Sequence, residues 1–212
     1  MDEAESLTAE LLESTSELFA NHYVLDRTPW LFASRRQYVE WKIALAEGLA
    51  VDPYSIIVVG SACTGFSLSP SKNFSSFHSR SDIDVAVISV MHFDQAWRWL
   101  RDLSPVAALG SKNQHRLFEE HRSSLVFDGT IATDKLLGRL PFGAEWRTAL
   151  LAAGKRDPTR GHSVKTRIYR DIQSLREYQV RSIAKLQTKI LADRMDAGSE
   201  VPEALSTLDE QE

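Results

Sequence analysis

Two stretches decide the fold: Ile56-Ile57-Val58-Val59-Gly60-Ser61 and, after a spacer running from Ala62 to Ser81, Asp82-Ile83-Asp84-Val85-Ala86-Val87-Ile88-Ser89. The first is a β-branched run bounded by Pro53 and Gly60, too short for a typical helix, and reads as a buried strand. The second alternates. Strand side chains point to opposite faces in turn, so Asp82 and Asp84 share one face while Ile83, Val85 and Val87 share the other. A Gly-Ser turn directly after a strand lets backbone N–H groups approach a phosphate with no Cβ in the way, and the Ser61 hydroxyl can donate to a phosphate oxygen. Gly65 follows four residues on. Two carboxylates two residues apart on one face can jointly hold hard divalent cations.

Working outward, residues 5–19 place Leu7, Leu11, Leu12, Leu18 and Phe19 near helical spacing and predict one amphipathic helix. A second helix is expected over residues 34–49, with Tyr38, Trp41, Ile43, Leu45 and Leu49 as its apolar face. Residues 66–81 read as a serine-rich loop. Helices are expected over 93–103, 112–124 and 142–153, a short strand at Leu125-Val126-Phe127, and an extended segment at 164–169. A long basic amphipathic helix is expected over 171–195. The acidic stretch 195–212, with Gly198 and Pro202, reads as a disordered tail. The expectation is a single domain over residues 1–194. It comprises N-terminal helices (5–50), a catalytic core (about 54–135) and a C-terminal helical part (about 142–194).

The chain has 212 residues, 43% of them hydrophobic and 25% charged, which is ordinary globular usage and excludes collagen and disulfide-rich classes. The apolar runs are far shorter than the roughly 20 residues that cross a bilayer. The acidic N-terminus and the single cysteine, Cys63, point to a cytoplasmic protein without membrane contact. The net charge of -4 hides an asymmetry. Residues 1–20 and 195–212 each hold six acids and no base, which leaves a formal +8 on residues 21–194. A basic body of this kind suits an anionic ligand such as a nucleotide or RNA.

The strand, the Gly-Ser turn, the spacer and the Asp-x-Asp strand together resemble the DNA polymerase β-type nucleotidyltransferase superfamily. Here the resemblance is to a minimal, single-domain bacterial-type member with an enlarged loop between Gly60-Ser61 and Asp82-Ile83-Asp84. It implies an α+β fold, a small mixed β-sheet flanked by helices, here with a long C-terminal helix. It also implies that Gly60, Ser61, Gly65 and Ser81 hold a triphosphate and that Asp82 and Asp84 bind Mg2+ or Mn2+. A third carboxylate on a later strand would complete the site.

Asp128 is the first choice for that carboxylate, because it ends the apolar run Leu125-Val126-Phe127. Asp134, in a helix-cap setting, is its rival, and Asp128-Gly129 is equally readable as a plain turn. Lys72, His78 and Arg80 lie in the long loop, either near a phosphate or simply solvated. Lys165, Arg167, Arg170, Arg176, Arg181, Lys185 and Lys189 form the strongest basic concentration, with Tyr169 or Tyr178 available to stack a base. Cys63 reads as a packed thiol behind the turn, and His115 with His121 as a charged helix surface.

The leading expectation is a magnesium-dependent nucleotidyltransferase. It would move a nucleoside monophosphate from an NTP to an acceptor hydroxyl, on RNA such as a tRNA 3′ end, a protein or a small molecule, and release pyrophosphate. The alternative is a catalytically degenerate nucleotide-binding subunit, regulatory or antitoxin-like, acting through a protein partner or as a homo-oligomer. The same motifs also look like those of the larger bacterial cyclic-oligonucleotide synthases of antiphage defence.

Overall fold

A computed structural model describes residues 3–72, 74–103, 111–133 and 136–199. Four strands form one mixed sheet: β1 (Ile56–Val59), β2 (Ile83–Ile88), β3 (Thr130–Ala132) and β4 (Val164–Tyr169), in the order β1-β2-β4-β3. β2 lies antiparallel to β1 and parallel to β4, and β3 runs antiparallel to β4. The α+β architecture with a long C-terminal helix is therefore as the sequence leads one to expect.

Alternation along β2 divides the molecule into layers. On one face Ile83, Val85 and Val87 join Ile56, Val58, Val164 and Ile168 in a core closed by α3 (Arg35–Leu49), α5 (Val90–Asp102) and α7 (Gly143–Ala153). Tyr38, Trp41, Leu45 and Leu49 on α3 and Trp146 on α7 supply its bulk. On the other face Val59, Ala86 and Tyr169 pack against α1 (Glu3–Glu13), α2 (Ser16–Ala20) and α8 (Ile172–Ser199) through Leu11, Phe19, Leu175, Ile183 and Leu186. Burying a large aliphatic or aromatic side chain stabilises by about 1.5–3 kcal/mol, so these two layers dominate the stability.

Local chemistry sets the element boundaries. Ser34 and Ser89 cap α3 and α5 by accepting from Gln37 N and His92 N. The N-terminal segment is two helices rather than one, because Thr15 accepts from Leu18 N and starts α2 afresh. Gln187 on α8 then holds the break, its amide donating to Leu11 O and Ser14 O at 2.6 and 2.9 Å.

The strand expected at 125–127 lies instead at Thr130–Ala132. Leu125 closes a π-helical turn (His121–Leu125) that extends α6 (Lys112–Glu120), Val126 is still helical, and Phe127 is 93% exposed. Three consecutive apolar residues on a helical path cannot all face one core, and Gly129, at φ +66°, turns the chain into β3. His121 is buried rather than part of a charged surface: its Nδ1 stands 2.6 Å from Leu117 O and its Nε2 accepts from Ala132 N at 3.0 Å. Burial lowers its pKa, so the neutral ring ties the π turn to β3. The C-terminal helix runs to Ser199, past the expected end at 195; residues 200–212 of the expected tail lie outside the described residues. No helix among the described residues is long and apolar enough to cross a membrane.

Candidate functional site

β1 delivers the Gly-Ser turn. Gly60 sits at φ +65°, ψ -154°, a conformation open in practice to glycine, and Ser61 opens a single helical turn, α4 (Ser61–Thr64). Cys63 N is the first α4 amide to donate back, to Gly60 O at 3.0 Å, so the N–H groups of Ser61 and Ala62 precede the ladder. The opposite end of α4 is anchored: Ala62 O and Cys63 O accept from Leu31 N and Trp30 N. Cys63 is fully buried, its thiol 3.5 Å from Val24 O, and burial pushes its pKa up to about 12, which favours a packed, protonated thiol.

β2 places Asp84 beside that turn. Val59 pairs with Asp84 in the antiparallel ladder, and a Cβ built on Gly60 would lie 3.0 Å from Asp84 Oδ2. The strand therefore needs glycine here for two reasons, its dihedral angles and the carboxylate against it. Asp84 opens to solvent at the mouth of a groove, yet the surrounding protein desolvates its carboxylate and raises its pKa. Asp82 raises it further, while Lys72, Lys165 and Arg167 pull it back down.

The groove, about 190 Å³, is lined by Gly60, Ser61, Asp84 and the cations Lys72, Lys165 and Arg167. Ser67, Ser69, Tyr178, Gln179 and Ser182 complete its polar walls. β4 contributes two of the cations because its parallel register sets Lys165 opposite Asp84 and Arg167 opposite Ala86. Two contacts align the strand ends: Ile83 N donates to Ser163 O at 2.8 Å, and His162 Nδ1 lies 2.8 Å from Ser81 O. Thr133 supports β4 from the β3 side, its Oγ1 donating to Thr166 O. Lys165 Nζ donates to Asp82 Oδ2 at 2.6 Å.

The long loop is more ordered than a solvated serine-rich connector. Phe66 bridges Ser76, the Phe66 and Phe74 rings stack at 5.2 Å, and Lys189 on α8 donates to Pro70 O at 2.8 Å. This folding carries Ser67, Ser69 and Lys72 to the groove. His78 and Arg80 stay in a turn outside it, where His78 Nδ1 accepts from Arg80 N.

Of the residues expected at the site, Gly60, Ser61 and Asp84 come together and Asp82 joins them through Lys165. Gly65 caps α4 at φ +84° against the Trp30 ring, and Ser81 closes the 78–81 turn by accepting from His78 N. Both shape the site from behind and line no part of the groove.

Asp128 is elsewhere. It precedes β3, whose Thr130 faces Tyr169, four residues along β4 from Lys165 and so about 13 Å away along the strand. Its carboxylate accepts from Arg181 on α8 at 2.9 Å. Asp134 lies outside the described residues. Tyr169 and Tyr178 both line the groove, Tyr169 buried at 1% exposure and Tyr178 half-buried with the Arg167 guanidinium 4.7 Å from its ring centre. The missed wall residues Ser67, Ser69, Gln179 and Ser182 carried no local signal, since polar residues on a loop or helix announce nothing until the loop and α8 converge.

The divalent metal pair implied by the resemblance would fall to Asp82 and Asp84. No group of three His, Cys, Asp or Glu side chains able to hold a metal exists among the described residues. The strand neighbouring Asp82 and Asp84 presents lysine and arginine, and the Lys165 ammonium already sits on Asp82. A larger cleft, about 530 Å³, lies between α5 and the His121–Leu125 turn, lined by Trp97, Leu100, Phe118 and Phe127 with Arg101 and Arg122. Among the described residues its lining has no carboxylate and shares none of the Gly-Ser turn. No protein-family model, curated protein or solved structure matches this chain.

Proposed function

We propose that the groove binds a nucleoside triphosphate, its phosphates against the Gly60-Ser61 turn and the Lys72, Lys165 and Arg167 side chains, and its nucleoside toward Tyr178 on α8. The observation that carries this reading is the Gly60–Asp84 contact, which sets a Cβ-free backbone turn and a carboxylate strand side by side beneath three cations. Backbone amides and fixed cations around one concavity are the means by which proteins hold polyphosphates. Binding as such, with the nucleotide as a signal or structural ligand of a regulatory domain, is what this balance of charges favours.

Nucleotidyl transfer to an acceptor hydroxyl, with release of pyrophosphate, is the second reading. It is supported by the Asp82-x-Asp84 pair on the strand that pairs with the Gly-Ser strand. The exposed basic residues of β4 and α8 would then face an anionic acceptor such as RNA.

One experiment separates the two. The purified protein is incubated with each α-labelled NTP, Mg2+ or Mn2+, and total cellular RNA and protein, beside an Asp82→Ala/Asp84→Ala variant. Nucleotide retained on the protein with no label transferred supports binding alone. Label on one macromolecular band with the wild type only supports transfer. Absence of any nucleotide binding, with the protein folded, sinks both.

A further inference from the structure

We propose that His121 is a pH-operated latch, whose neutral ring fastens the π-helical turn His121–Leu125 to the edge of the sheet and whose protonation unfastens it. The inference is independent of the nucleotide reading. Among the described residues β3 pairs with β4 alone, so its other side is an edge. The Ala132 N–H finds its acceptor not in a strand but in an imidazole, His121 Nε2, at 3.0 Å. A nitrogen that accepts from an N–H carries no proton, so the ring proton sits on Nδ1, 2.6 Å from Leu117 O, a carbonyl that can only accept. One neutral tautomer satisfies both contacts. The doubly protonated ring satisfies only the second and sets its Nε2–H against the Ala132 N–H.

The ring is fully buried, so these two donors cannot turn to water while the turn stays in place. Relief requires the turn to move. A π turn is a rare single-turn insertion in a helix, and this one is closed by Val126 N donating to His121 O at 3.2 Å. Its His121 and Arg122 wall the 530 Å³ cleft, so release shifts that wall and bares the edge of β3.

Burial lowers the pKa of this ring, the Leu117 carbonyl and Glu120 on α6 raise it, and Arg167 on β4, the register partner of Ala132, lowers it. Arg101 on α5 and Arg122 on the turn line the same cleft. Asp134 and Lys135, just past β3, lie outside the described residues, and a titration of the full chain includes them. The folded ring therefore takes its proton below the ordinary value of 6.5. The latch contributes fully above that value, and its contribution is lost as pH falls through the lowered native pKa.

The test follows the isotope-labelled full chain by NMR from about pH 8 to about pH 5. Ring signals of His121, assigned by their loss in His121→Phe, report its protonation. Hydrogen exchange at Ala132, corrected for the intrinsic rate, reports the bond. Wild type is expected to hold the Nδ1–H tautomer at neutral pH. Ala132 should then lose protection by about tenfold or more with the same midpoint as the His121 ring, below 6.5, while amides of the β1–β2 ladder keep theirs. The match of site and midpoint separates His121 from His92, which is also buried. His121→Phe should leave Ala132 poorly protected at every pH.

Protection of Ala132 that ignores the protonation of His121 overturns the inference. So does a ring that stays neutral throughout the range, or until the whole sheet loses protection together. Thermal melts establish that His121→Phe folds. If it does not, through-bond experiments assign the ring and the wild-type titration decides the question alone.

Discussion

β2 and β4 lie side by side in the same sheet, pair residue for residue over six positions, and bury the same kind of face, yet their other faces carry opposite charges. Ile83, Val85 and Val87 match Val164, Thr166 and Ile168 in a dry layer under α3, α5 and α7. On the reverse, Asp82 and Asp84 meet Lys165 and Arg167 at a groove that α8 walls with the polar residues Gln179 and Ser182, while further along the same face Ala86 and Tyr169 are again buried. The comparison teaches that stability and ligand chemistry are assigned to opposite faces of one pair of strands. The groove exists because apolar cover ends partway along the second face.

Substitutions that confuse the two faces should have the largest effect. Val85→Asp puts an unpaired carboxylate in the dry layer, where Val85 is 1% exposed, and should destabilise by about 3 kcal/mol or more. A urea midpoint close to that of wild type would break the division between faces. Gly60→Ala should cost about 1–3 kcal/mol, since alanine must adopt φ +65° and its Cβ would crowd Asp84 Oδ2. It should also abolish nucleotide binding; a variant that binds ATP normally would show that the turn does not hold the phosphates.

Asp84→Asn should separate function from stability. Desolvation raises the Asp84 pKa, so the native state holds its proton more firmly than the unfolded chain. The favourable contribution is complete below the ordinary value of 3.8 and is lost as pH rises through the raised native pKa. The asparagine variant, which has no charge to desolvate, should therefore gain in Tm relative to wild type as pH goes from about 3.5 to neutrality. It should lose no stability at pH 7. A gap in Tm that moves the other way would mean that the three cations, not burial, dominate this carboxylate.

Asp128→Asn should do least. The Asp128–Arg181 pair is part-exposed, worth at most about 1 kcal/mol, and its loss should leave nucleotide affinity within about twofold of wild type. A large fall in affinity would bring Asp128 back into the site.

The legible part of the site was the part encoded locally. Gly60-Ser61 at the end of a β-branched run and the alternation of Asp82 and Asp84 depend on neighbours in sequence, and both stand where the pattern put them. Asp128 was misplaced because its role was argued from a strand ending at Phe127. A helical path through Leu125 and Val126 is equally apolar over three residues, so only the pairing of Thr130 with Tyr169 could decide it. The long loop was undecidable for a similar reason, its order resting on Phe66, Phe74 and a bond from distant Lys189.

By itself, then, the sequence determined the elements whose information is periodic: three of the four sheet strands, most of the helices that cover them, the glycine turn and the carboxylate pair. Tertiary structure alone decided which strand lies beside the carboxylates. The strand that follows β2 in sequence, β3, pairs not with it but with β4, so the neighbour of Asp84 comes from 81 residues downstream and is a lysine. Strand order follows from how two faces of apolar side chains are buried together, a property of the whole chain that no local spacing carries.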